Sequence, residues 1–153
     1  MFHMTTIIDE KDQKILEILK DHAEYTTRQI AKKTLLPITT IHNRIKKLKT
    51  EGIIKKFTIK LNYEKLNQNF RAYILITANL HILKEKKRTQ HDLARDLRKF
   101  PFIERVDIVS GGTDIVAIVR VKDVKEFDEV LLGKLQLVEG IEKTQSMIVI
   151  HSS

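Results

Sequence analysis

The stretch Pro37 to Glu51, PITTIHNRIKKLKTE, constrains this chain more than any other. Apolar residues recur in it every three or four positions, the repeat of a helix with one buried face. At 100° per residue, Ile38, Ile41, Ile45 and Leu48 fall within about an 80° arc. Thr39, Asn43 and Lys47 lie opposite, flanked by Thr40 and Lys46. Pro37 suits the first helical position, where a missing N–H costs nothing and φ is already set. Glu51-Gly52 ends the helix, since glycine is the usual residue just past a C-terminus. Such a helix needs neighbours against its isoleucine spine. It presents short hydrogen-bonding side chains outward, then cations.

The upstream sequence supplies those neighbours. Asp9 to His22, DEKDQKILEILKDH, carries Ile15, Leu16, Ile18 and Leu19 at helical spacing. Its acids crowd the first turn, where the helix dipole favours them. Thr26 or Thr27 can cap a short second helix, RQIAKKT, with Ile30 and Ala31 inward. Leu35 and Leu36 form the tight connection to the third helix. Two helices joined by a short turn, the second one basic, make a helix-turn-helix pattern.

Charge points the same way. Arg28 to Lys60 holds ten lysines and arginines and a single acid, Glu51, a net +9 against +8 for the whole chain. All the excess positive charge therefore sits in one short region. A focused patch of this kind suits a polyanion. In this motif the N-terminal part of the second helix meets base edges and cations meet phosphates. Asn43 can bridge an adenine edge, and the methyls of Thr39 and Thr40 can meet thymine methyls. Arg44, Lys46 and Lys47 are expected to hold phosphates, helped by Arg28 and Lys32 from the preceding helix.

Beyond Gly52 the repeat shortens. Ile53 to Leu61, IIKKFTIKL, alternates like a strand. NYEKLNQN reads as a polar linker. The remainder is predicted as a strand over Arg71 to Leu80 and a charged loop or helix start over Lys84 to Arg88. A helix capped by Thr89 runs to Phe100 and is stopped by Pro101. A strand covers Phe102 to Val109, a hairpin turn Gly111-Gly112, and a returning strand Asp114 to Val121. A helix over Asp123 to Leu137 ends before Gly140, and a last strand spans Ile141 to His151. The order βαββαβ is that of a ferredoxin-like domain, an α+β fold with two helices on one face of an antiparallel sheet. Val, Ile and Leu on both sides of several strands imply that a second chain or a ligand covers the other face. The expected domains are 1–61, a helix-turn-helix unit with its following strand; 62–69, a linker; and 70–153, the βαββαβ unit.

Several classes are disfavoured. There are no cysteines, which excludes disulfide scaffolds and thiolate chemistry and fits a reducing cytoplasm. No signal peptide is visible at the first residues, and no apolar run approaches the ~20 residues of a membrane span. The six histidines, His3, His22, His42, His81, His91 and His151, show no metal-ligand spacing. No Walker loop, dinucleotide fingerprint or nucleophile elbow occurs, so neither cofactor nor catalysis is expected.

The opening helix DEKDQKILEILKD, the segment LPITTIHNRIKKLKTEGIIKKFTIKLN, and a βαββαβ unit carrying VSGGTDIVAIVRV and closing with GIEKTQSMIVI resemble the Lrp/AsnC family of feast/famine transcriptional regulators. The resemblance spans roughly residues 8–150; NRIKKLKTEGII and SGGTD carry it most specifically. It implies a DNA-binding helix-turn-helix and a ligand-sensing domain through which homodimers form and assemble further, often to octamers. It implies an amino acid or related metabolite as effector, bound near the turn Ser110 to Asp114. On that reading the N–H groups at Ser110, Gly111, Gly112 and Thr113 can take a carboxylate and Asp114 an α-amino group. Thr144 and Ser146 are candidates for the same pocket. The family often has serine where Pro37 stands. Some tetrapyrrole side-chain decarboxylases are similar in both domains and mark an enzymatic alternative; a nonspecific DNA-packing protein is another.

Overall fold

The structure, a computed structural model, describes residues 8–151. His3 and the outermost ends of the two expected domains lie outside them. The chain divides into two compact units, Met1–Leu61 and Asn62–Ser153.

The first unit has three helices and, among the described residues, no strand. α1 spans Glu10–Asp21 and α2 spans Thr27–Thr34; Asp9 and Thr26 close reciprocal capping boxes at their N-termini. Those boxes satisfy backbone donors that a helix start otherwise leaves open. α3 spans Ile38–Thr50. Ile15, Leu19, Ile30, Ala31, Ile41 and Leu48 make the core. Ile38, placed by the wheel on the inward arc, is 46% exposed at the first residue of α3. Pro37 is the residue before the helix rather than its first: ψ is 144°, and its carbonyl accepts the first helical bond from Ile41 at 3.1 Å.

The expected strand over Ile53 to Leu61 does not form. Ile53 and Ile54 fold back onto the helical core. Residues 55–61 then run without a backbone partner among the described residues, leaving Phe57, Ile59 and Leu61 exposed. Alternation alone does not make a strand when no second strand is present to take up its N–H and C=O groups.

The second unit is a four-stranded sheet of order β2-β3-β1-β4, every neighbouring pair antiparallel. β1 is Phe70–Ala78, β2 Ile103–Ile108, β3 Ile115–Val121 and β4 Ile141–Ile148. α4 (Leu80–Glu85), α5 (Gln90–Leu97) and α6 (Val124–Gly133) accompany them. The buried residues of β1 (Ala72, Ile74, Ile76, Ala78) and β3 (Ile115, Ala117, Val119, Val121) pack with Leu83, Leu93, Leu97 and Phe127 from the helices. Two expectations shift here. The first strand ends at Ala78, because the Asn79 side chain accepts from the Ile82 N–H and starts α4. The last predicted helix stops at Gly133 and gives way to a 3-10 turn, Leu135–Leu137. Gly140 has φ +99°, and a Cβ there would lie 2.6 Å from Leu83 Cδ2, so the backbone passes where only glycine fits.

Residues 62–69 belong to the second unit; Tyr63 alone among them is half-buried. The Arg120 guanidinium lies 3.7 Å from the centre of the Tyr63 ring, and Nε donates to Glu104 at 2.6 Å. The segment read as a linker is thus partly pinned to the sheet.

Candidate functional site

On α3, Ile41 and Leu48 are buried, and Thr39, His42, Asn43, Lys46 and Lys47 are exposed. Thr40, Asn43, Arg44 and Lys47 line one depression together with Asp9 and Asp12. Lys46 belongs to the other flank, beside His42, Lys49 and Thr27. Arg28 and Lys32 stand exposed on α2. No side chain caps α3. Its first amide groups therefore remain open donors, which favour an anion.

Arg44 does something other than reach outward. Its Nη1 donates to both Asp9 carboxylate oxygens, at 2.8 and 2.7 Å, and to Asp12 Oδ1 at 2.8 Å. Asp12 is 2% exposed. The Asp12 N–H and then the Arg44 guanidinium hold the Asp9 carboxyl below its ordinary pKa, and the two aspartates raise that of Arg44. This cluster carries two negative charges and one positive, so it offers a phosphate little attraction. The expectation that Arg44 holds a phosphate is corrected on this geometry: Arg44 ties α3 to α1. The signal was available in DEKD, whose acids were assigned only to the helix dipole.

In the second unit the pairing register separates the candidates. Tyr73, Leu75 and Thr77 face away from the helices; across the strands they meet Ile118, Val116, Met147, Gln145 and Lys143. Leu75, Thr77, Gly112, Thr113, Lys143 and Gln145 line a shallow depression of about 370 Å³ on this open face. Thr144 and Ser146 pair with Ile76 and Ile74, which puts them on the helix-packed side. Thr144 accepts there from Gln136 Nε2 at 2.9 Å. They are not part of this depression. Lys143 and Gln145 are, and strand parity shifted by one residue would have found them.

Asp114 is also committed. One carboxylate oxygen accepts from the Ala78 N–H at 2.8 Å and the other from Gln90 Nε2 at 2.7 Å. Its assignment to an α-amino group is corrected accordingly: the carboxylate ties the end of β1 to α5. The Thr113 hydroxyl donates to the Ile76 carbonyl at 2.9 Å. Ser110, Gly111 and Gly112 are exposed in the turn; of the two glycines only Gly111, φ +137°, needs the freedom of glycine. Among the described residues no group of three or more potential metal ligands occurs.

The family model described as the Lrp/AsnC ligand binding domain matches residues 71–153, more than half of the chain. The chain belongs to the Lrp/AsnC family. A winged helix-turn-helix DNA-binding model matches residues 8–55 of this Lrp/AsnC protein. HTH-type transcriptional regulator FL11 of Pyrococcus furiosus is 39% identical over 147 residues, 96% of this chain and 92% of the relative. An uncharacterised HTH-type transcriptional regulator of Pyrococcus horikoshii is 37% identical over 145 residues, 95% and 94% of the two chains. Among solved structures, Escherichia coli AsnC superposes with a TM-score of 0.82 at 24% identity, covering 96% of this chain and 95% of that one. A transcriptional regulator of Neisseria meningitidis in complex with L-Met gives 0.85 at 24%, covering 95% and 91%. The Lrp/AsnC protein is a transcriptional regulator with a helix-turn-helix DNA-binding domain and a small-molecule-binding domain. No described helix is long and apolar enough to cross a membrane.

Proposed function

We propose that this regulator reads double-stranded DNA in a sequence-specific manner through Thr39, Thr40 and Asn43, with phosphate contacts from Lys46, Lys47, Arg28 and Lys32. Residues 1–61 act as the DNA-binding unit, 62–69 as the connection, and 70–153 as the sensing and assembly unit, in the cytoplasm. The observation that carries the reading is the outward face of α3, exposed Thr39 and Asn43 beside half-buried Thr40 and followed by exposed Lys46 and Lys47, on a helix whose spine is locked by Ile41 and Leu48. Short amide and hydroxyl groups suit base edges, and lysines suit phosphates. A homodimer assembled through the sheets, with octamers built from it, presents two copies of α3 to half-sites about 34–36 Å apart.

The effector of this reading is an amino acid or a closely related metabolite, bound at the depression beside Gly112 and Thr113. Lys143 and the turn amides supply the counterpart of a carboxylate, and Leu75 an apolar wall. The L-Met complex of the Neisseria regulator supports that class of ligand. A ligand changes DNA affinity only through unequal affinity for two states of the assembly.

The test is selection of bound fragments from random duplex DNA at physiological salt, with wild type and Asn43→Ala, and with the mass of the protein measured in the same buffer. Wild type enriches one motif, and Asn43→Ala relaxes it at one base pair at a cost of about 1–3 kcal/mol. An unchanged motif removes Asn43 from the reading face; no enriched motif at all refutes sequence-specific reading. For the effector, a melting screen of amino acids shows a shift in wild type that Lys143→Ala loses. No shift with any amino acid refutes that ligand class.

A further inference from the structure

The connection between α2 and α3 holds a leucine in a conformation that suits leucine badly. Leu35 has φ 57° and ψ 27°, the left-handed region. A side chain with a Cβ pays about 1–2 kcal/mol there, and glycine nothing. The other described non-glycine residues with positive φ are Asn67 and Lys87, both polar. Leu35 recovers no burial in return: it is 90% exposed, whereas its neighbour Leu36 packs on the core. Pro37 is exposed as well, and Ile38 is 46% exposed. Two exposed apolar side chains, Leu35 and Pro37, therefore stand just ahead of α3, inside the one region that carries the chain's excess positive charge.

We infer that Leu35, with Pro37, forms an apolar contact to duplex DNA that recognises the 5-methyl group of thymine. The inference rests on the reading that α3 enters the major groove. In that geometry the start of the helix lies nearest the base edges. The thymine methyl is the one apolar group on the major-groove floor, and apolar side chains meet it. The surrounding cations select a polyanion as the occupant of this patch over another protein surface. The left-handed backbone at Leu35 ends α2, but folding does not call for an exposed leucine there, where glycine would cost nothing; an exposed, strained side chain of this kind suits contact. Thr39 and Thr40 offer further methyls in the first turn of α3.

The experiment uses the full chain and the duplex that wild type enriches. Leu35→Gly relieves the backbone and raises the melting temperature of the N-terminal unit; it weakens binding to the enriched duplex and leaves binding to random DNA, and its dependence on salt, unchanged. Leu35→Asn, whose side chain tolerates this backbone, weakens binding in the same way. Replacing single thymidines by deoxyuridine removes one methyl at a time. At the contacted position this costs wild type about fourfold, the worth of one buried methyl, and costs Leu35→Gly nothing. If each deoxyuridine has the same effect on wild type and on both variants, the inference is overturned. If Asn43→Ala loses sequence preference while Leu35→Gly keeps all of it, only the Leu35 contact fails. If wild type enriches no duplex, the DNA-reading assignment fails and this inference with it.

Discussion

Arg44→Ala separates a structural cation from a DNA-contacting one. In the folded protein Arg44 Nη1 bridges Asp9 and Asp12, and Asp12 is buried. Truncation leaves the Asp12 carboxylate without its cation beside a depression through which water reaches it. Removing one member of a fully buried ion pair costs about 3–5 kcal/mol; with Arg44 24% and Asp9 50% exposed, the cost here is about 1–3 kcal/mol. A single small domain has about 5–15 kcal/mol in all. Arg44→Ala should therefore remove part of the stability of the helical unit and leave the sheet unit unaffected. Native-state hydrogen exchange in the full chain resolves the two: protection falls in α1, α2 and α3 and holds in β1 and β3. The double change Asp12→Asn with Arg44→Met removes the buried charge at nearly unchanged bulk, keeps an oxygen for the capping box and should restore most of the stability. With the helices restored, DNA binding should keep its salt dependence. A lost phosphate contact would instead flatten the slope of log K against log salt by about 0.9. A loss under about 1 kcal/mol for Arg44→Ala, together with that flatter slope in the double variant, would refute the assignment of Arg44 to α1.

Lys47→Ala should weaken binding to selected and random duplexes alike and flatten the salt slope by about 0.9, read by titration at several salt concentrations. Gly140→Ala forces a side chain into φ +99° and onto the buried Leu83, so the sheet unit should lose about 1–3 kcal/mol in urea unfolding. Asp9, Asp92 and Asp96 all have carboxyl pKa values lowered from 3.8, chiefly by the Asp12 N–H, the Thr89 hydroxyl and the Lys99 ammonium respectively. A lowered folded-state value means the stabilisation is fully present above 3.8 and is lost as pH falls through the folded values. Through these three groups the melting temperature should thus fall only in acid below that point, and raising the pH from 5 to 7 should change nothing.

The elements readable from sequence were those whose own residues decide them. α1, α2 and α5 carry their caps and their apolar faces within a dozen residues, and the order of strands and helices in the second unit follows from turn residues such as Gly140 and Pro101. What local pattern could not decide depended on distant partners. Ile53 to Leu61 alternates as a strand does, yet strand formation needs a neighbour that the first unit does not hold. Arg44 looked like an outward cation until the fold brought Asp9 and Asp12 within 3 Å of it. Asp114 looked free for a ligand until α5 set Gln90 against it. Thr144 and Ser146 were read on the pocket side because the face of an edge strand is set by register, and register is fixed by β1. For Arg44, Asp114 and Thr144 a polar side chain suggests function while its first partner is structural.

The pinning of Tyr63 beneath Arg120 also sets a length. With Ile53 and Ile54 held by the helical core and Tyr63 held by the sheet unit, the span between the two anchors is residues 55–62. Eight residues reach at most about 28 Å when fully drawn out. Whatever angle the units adopt, each DNA-reading helix stays on a short tether to its own sheet. If the sheets associate, a first helix seated on DNA confines the second to a small volume, in which its effective concentration for the adjoining half-site is in the millimolar range. Lengthening the 55–62 segment would dilute that second event without altering a single contact to DNA.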